Sequence, residues 1–81
     1  EKASVIFNQL NNLKGRGSSA NNLGLIYWNM ADYDKALIFF FEALKDFEKI
    51  KNERFASNAL NNIGLVYYDI HNYEQSFKGY L

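Results

Sequence analysis

Apolar residues recur at three- and four-residue spacing along nearly the whole chain, which predicts amphipathic helices. Glu1 to Leu13 carries Ala3, Ile6, Phe7, Leu10 and Leu13 on one face. Lys14-Gly15-Arg16-Gly17 then reads as a turn. Ser18 to Met30 places Leu23, Ile26, Tyr27 and Met30 together and inward, and Ala31-Asp32 closes it with Asp32 as an N-cap. Tyr33 to about Ile50 carries Leu37, Phe40, Leu44 and Phe47, and Lys51-Asn52-Glu53 interrupts the pattern. Arg54 to Ile70 turns Leu60, Ile63, Tyr67 and Ile70 inward. His71-Asn72 is the next expected turn, with Asn72 and Gln75 spaced as a capping box. Tyr73 to Leu81 opens a last helix with Phe77 and Tyr80 inward. The expectation is an all-α chain of about five antiparallel helices joined by links of two to four residues.

A phrase returns 40 residues on. Asn21-Asn22-Leu23-Gly24-Leu25-Ile26-Tyr27 is matched by Asn61-Asn62-Ile63-Gly64-Leu65-Val66-Tyr67. A fixed-period repeat predicts a solenoid, since one unit cannot bury its apolar face alone and stacks on its neighbours. Gly24 and Gly64 lie inside helical patterns, where glycine costs about 1 kcal/mol against alanine. Glycine at both copies predicts close helix–helix approach. The chain has no proline, which suits continuous helices. The pattern stops at Leu81 inside an unfinished helix, so these residues read as a segment of a longer array: 1–14 the second helix of a partial repeat, 15–52 a complete repeat, 53–81 a second, truncated one.

These residues resemble the tetratricopeptide repeat. Leu23-Gly24-x-x-Tyr27 followed by Ala36-x-x-x-Phe40 matches its signature, with Ala43 as the later alanine. Ile63-Gly64-x-x-Tyr67 with Ser76-x-x-x-Tyr80 matches with conservative changes, and Ala3 with Phe7 fits the second helix of an earlier repeat. The spacing of 40, where about 34 is usual for the family, resembles the long repeats of kinesin light chain, of Pins-type polarity adaptors and of sensor modules on bacterial signalling proteins. The family's terminal proline is replaced near Glu48.

The resemblance implies a right-handed solenoid of helix pairs whose first helices line a concave groove that binds an extended peptide. It places Ser18, Asn21, Asn22, Leu25, Trp28 and Asn29 in that groove, with Asn58, Asn61, Asn62, Leu65, Tyr68 and Asp69 one repeat on. Asn22 and Asn62 stand where related proteins carry a ladder of asparagines. A carboxamide presents an acceptor and donors side by side and pairs with both groups of a peptide backbone. The same asparagines also serve in bonds across repeats, and Trp28 and Tyr68 in packing between helices. The lysines and arginine of a carboxylate clamp are missing from these positions.

Composition narrows the partner. Nine basic residues balance nine acidic ones, so the chain lacks the basic footprint of a nucleic-acid or anionic-membrane binder. Without cysteine there is neither a disulfide nor a thiolate zinc site, and no compartment is selected. His71 is the single histidine, so a catalytic triad or metal cluster has little to draw on. Gly15-Arg16-Gly17-Ser18-Ser19 lacks the strand before it and the ending of a phosphate loop. Asp32 and Asp34 suit the positive end of a helix. No enzyme activity and no cofactor are expected. The expected partner is a protein or peptide. The alternatives are a regulatory sensor module and a self-assembling segment, the latter through an association patch at Ile38, Phe39 and Phe41 or through the exposed terminal helices around Val5, Ile6, Phe77 and Leu81.

Overall fold

The computed structural model describes the backbone of residues 2–79 and the side chains of residues 11–74. Three helices follow one another: α1 (Lys2–Asn29), α2 (Tyr33–Lys49) and α3 (Glu53–Gly79). Helix α2 packs against both neighbours and forms the centre of the bundle.

The two turns are built alike. After α1, the amide of Ala31 donates to Trp28 O (2.9 Å) and that of Asp32 to Tyr27 O (2.9 Å). After α2, Lys51 donates to Glu48 O (3.0 Å) and Asn52 to Phe47 O (2.9 Å). These pairs satisfy the last helical carbonyls, and they require the left-handed residue that closes a Schellman motif. That residue is Ala31 (φ 61°) in one turn and Lys51 (φ 56°) in the other. The next residue caps the following helix: Asp32 Oδ1 accepts from Lys35 N (3.4 Å), and Asn52 Oδ1 from Phe55 N (3.2 Å). The expected cap at Asp32 is therefore present.

Two expected turns are absent. Lys14–Gly17 lies within α1 and His71–Asn72 within α3, so three helices stand where five were expected. With no helix start at Asn72, the expected capping box has no place. At the first site two contacts outweigh the helical cost of glycine. Gly17 lies under Phe47, whose Cε1 is 2.8 Å from where a Cβ would be. Next to it, the Arg16 guanidinium clasps Asp46 in a two-point ion pair, Nε to Oδ2 at 2.9 Å and Nη2 to Oδ1 at 2.6 Å. Bidentate pairs of this kind are strong and directional.

The core has two clusters, both using α2. Ala20, Ala43, Phe47 and Ala59 form one. Ala36, Phe40, Ile63 and Val66 form the other, with Tyr27, Trp28 and Ile70 packed against it. Gly24 lets Phe40 approach closely: a Cβ there would sit 2.6 Å from two ring carbons. Its mate Gly64 has nothing within 4 Å, so the close approach expected at both glycines occurs at one.

The inward faces of the outer helices are corrected accordingly. Leu23, Ile26, Met30, Leu60 and Tyr67 are exposed, whereas Tyr27 and Ile70 are half-buried and Ile63 is buried. The 40-residue repeat explains this. Helix α3 buries Ala59, Ile63 and Val66 against α2, and their mates on α1 are Ser19, Leu23 and Ile26, which face solvent. Helix α1 buries Gly17, Ala20 and Gly24 against α2, and their mates Ser57, Leu60 and Gly64 on α3 are exposed. Each outer helix thus has two packing faces, and α2 covers a different one on each. The inward assignments of Ala3, Ile6, Phe7, Leu10, Phe77 and Tyr80, and the terminal contacts of Val5 and Leu81, concern side chains outside the described residues.

Asp46 is buried beneath Arg16. The hydrogen bond from Arg16 holds its carboxyl below the usual carboxylate range, against the opposing effect of burial. A carboxylate with a depressed pKa in the fold stabilises it above the unfolded value, roughly 3.9, and loses that stabilisation as pH falls through the folded value. The stability gap between the native chain and Arg16→Met is therefore expected to be full at pH 7 and to close on acidification below about pH 4. Urea titrations at several pH values measure it, and a gap independent of pH would contradict the ion pair.

Candidate interaction groove

Between α1 and α3, on the side where α2 forms the base, lies a hollow of about 170 Å³. Ser18, Asn21 and Asn22 line it from α1, Phe55 and Asn58 from α3, and Phe47 from α2. Phe47 and Phe55 meet edge to face at 5.2 Å, and Lys14 Nζ stands 5.2 Å from the Phe55 ring centre. The site is apolar below, with carboxamides and a hydroxyl around it. It has room for one side chain and is smaller than a typical small-molecule pocket.

Two hydrogen bonds tie the walls together. Asn62 Nδ2 donates to Asn21 Oδ1 at 3.1 Å. Further along, Trp28 Nε1 donates to Asp69 Oδ2 at 2.6 Å. The Trp28 ring also meets Phe40 edge-on at 6.1 Å. These four side chains bond across repeats, which is one of the two roles the sequence leaves open for asparagine and tryptophan here.

Of the residues expected in the groove, Ser18, Asn21, Asn22 and Asn58 gather around the hollow. Asn62, Trp28 and Asp69 are half-buried in the bridges above. Leu25 and Leu65 are partly exposed on α1 and α3. Asn29, Asn61 and Tyr68 are exposed and do not line the hollow. The sequence reading missed Phe47, Phe55 and Lys14 as parts of the site. Phe47 carries a helical-core signal only, and nothing local joins it to Phe55 on the next helix. On α2, Ile38 and Phe41 are exposed, while Phe39 is half-buried and stacks on Tyr27 at 5.4 Å with the rings nearly parallel.

Among the described residues no three His, Asp or Glu side chains gather as metal ligands, and no helix is long and apolar enough to cross a membrane. Paired helices meet at Gly24 and Phe40, and Leu23-Gly24-x-x-Tyr27 and its mate Ile63-Gly64-x-x-Tyr67 lie on α1 and α3. The family model for the tetratricopeptide repeat matches residues 15–80. The chain belongs to the tetratricopeptide-repeat family. No curated protein and no solved structure matched it. Repeats of this family form a non-catalytic module that generally mediates protein–protein interaction, and the all-helical fold agrees with that membership.

Proposed function

We propose that the groove between α1 and α3 of this tetratricopeptide-repeat segment holds an extended segment of a partner protein. The observation that supports this reading is the hollow itself, where the aromatic pair Phe47–Phe55 lies beneath Asn22, Asn58 and Ser18. One apolar side chain of the ligand enters the hollow, and the exposed carboxamides of Asn22 and Asn58 take its backbone groups. Leu25 and Leu65 extend the apolar contact. Asn21, Asn62, Trp28 and Asp69 act behind this surface by holding α1 and α3 at their spacing. Asn29, Asn61 and Tyr68 are outer contacts for a longer peptide. Zero net charge suits such a ligand better than nucleic acid.

The 40-residue spacing supports placement with the long repeats of adaptor and signalling proteins. In that reading residues 15–52 form one complete unit of a solenoid, and the segment serves as a scaffold.

A peptide selected from a random library against the native chain supplies the test. Each lost backbone hydrogen bond is worth about 1 kcal/mol, so Asn22→Ala/Asn58→Ala weakens that peptide by roughly 30-fold. Ile38→Ser, on the exposed face of α2, leaves its affinity unchanged. Calorimetric titration measures all three chains. Equal affinity in the asparagine variant, with helicity retained, would remove the groove from the account.

A further inference from the structure

Contacts that join α1 to α3 are evenly spaced. Lys14 lies over Phe55, Asn62 donates to Asn21, and Trp28 donates to Asp69. Successive rungs stand seven residues apart on both helices, about 10 Å along the rods. The hollow lies between the first two rungs, and no side chain lining it carries a charge. The charges at its ends therefore decide what a ligand must carry beside its apolar group.

The end at the first rung is basic. Lys14 stands one helical turn before Ser18 on α1, and Arg54 one turn before Asn58 on α3. The two are repeat mates, 40 residues apart, and both are exposed. Residues four apart share a helix face, so both cations border the hollow. Among the described residues, neither forms an ion pair. Asp46, next to Phe47 of the floor, is engaged by Arg16. Glu53 shares its face of α3 with the exposed Ser57 instead. Asp69 lies two rungs away, about 20 Å along α3 from Phe55, and already accepts from Trp28.

We infer that the ligand of this groove is an acidic peptide, with a leucine- or phenyl-sized side chain in the hollow and a carboxylate two residues away that meets Lys14 and Arg54. This ligand class rests on the peptide-groove reading proposed above and adds charge to it. The spacing follows from geometry. Lys14 is about 6 Å along α1 from Ser18. Residues two apart in an extended peptide point the same way and lie about 7 Å apart. The size follows from volume: a cavity of about 150 Å³ accommodates benzene, and the hollow offers about 170 Å³.

Selection of a random peptide library on the native chain is expected to enrich Asp or Glu two positions from an aliphatic or phenyl residue. A synthetic peptide of that pattern is expected to bind about 3- to 5-fold more tightly than its twin with glutamine at the acidic position, as exposed ion pairs allow. Added salt narrows that difference. Lys14→Met/Arg54→Met abolishes it, and Lys14→Glu/Arg54→Glu turns the selection toward Lys and Arg at the same position. Calorimetric titration compares the twins on each chain. Equal affinity of the twins on the native chain, which needs no variant, would overturn the acidic ligand. If both twins then weaken in Asn22→Ala/Asn58→Ala, the groove stands and only its charge preference falls. A difference that persists in Lys14→Met/Arg54→Met would equally overturn the assignment. A library that yields no peptide, or only peptides indifferent to the asparagine changes, would remove the groove and this ligand class together.

Discussion

Phe40→Ala is expected to lower stability by about 3–5 kcal/mol, the cost of removing a fully enclosed phenyl ring. Phe40 is wholly buried, covers Gly24, meets Trp28 edge-on and packs with Ile63 and Val66. The ring thus joins α2 to both of its neighbours. Small domains are typically stable by about 5–15 kcal/mol, so the variant loses much of its total. Phe41 is the control. It lies one residue along the same apolar run but is 46% exposed. Phe41→Ala is expected to cost less than about 1 kcal/mol. Urea unfolding followed by circular dichroism compares the two. Equal losses would mean that α2 does not present the Phe40 face to the core.

Gly24→Val carries the second large effect, with the opposite cause. A Cβ at residue 24 meets the Phe40 ring at 2.6 Å, and a branched side chain adds two methyl groups in the same space. Replacing glycine within a helix gains up to about 1 kcal/mol in propensity. Overpacking a closed interface costs about 1–3 kcal/mol or more, so the net effect is destabilising. Gly15 is the matching control, with no neighbour within 4 Å of an added Cβ. Gly15→Ala is expected to stabilise the chain by about 1 kcal/mol, because α1 is helical there. A destabilised Gly15→Ala would mean that residues 14–17 turn, as their composition suggested.

That pair of glycines shows where the sequence was legible and where it was not. Helix α2 reads directly from its pattern, because both neighbours are present and its apolar stripe meets them. Phe40 and Phe47 are buried as expected, and Leu37 and Leu44 are half-buried. The outer helices misled the same reasoning. Periodicity weights large apolar residues, so it chose Leu23, Ile26 and Met30 on α1. The face that meets α2 is instead made of Gly17, Ala20 and Gly24, whose value lies in letting Phe40 and Phe47 come close. Small residues carry almost no hydrophobic signal, and a helix with two packing faces has no single inward side.

Breaks were misread for a related reason. Gly15 and Gly17 have the composition of a turn, but a long-range pair, Arg16 with Asp46, holds that stretch against α2. No local rule contains a partner 30 residues away. The groove was legible in part. Ser18, Asn21, Asn22 and Asn58 of its rim were among the positions that the resemblance singled out, whereas Asn61 and Asn62 do not line it. Its floor was not legible, because Phe47 and Phe55 belong to different helices and come together only through the turn at Lys51.

The most direct measurement of the central claim is the nuclear magnetic resonance map of a selected peptide bound to the isotopically labelled chain. The account predicts that the perturbed amides and carboxamides cluster at Ser18, Asn22, Phe55 and Asn58, with Phe47 beneath them, while Ile38 and Phe41 stay unchanged. Perturbations centred on Ile38 and Phe41, with Asn22 and Asn58 silent, would contradict it and move the binding surface to the exposed side of α2.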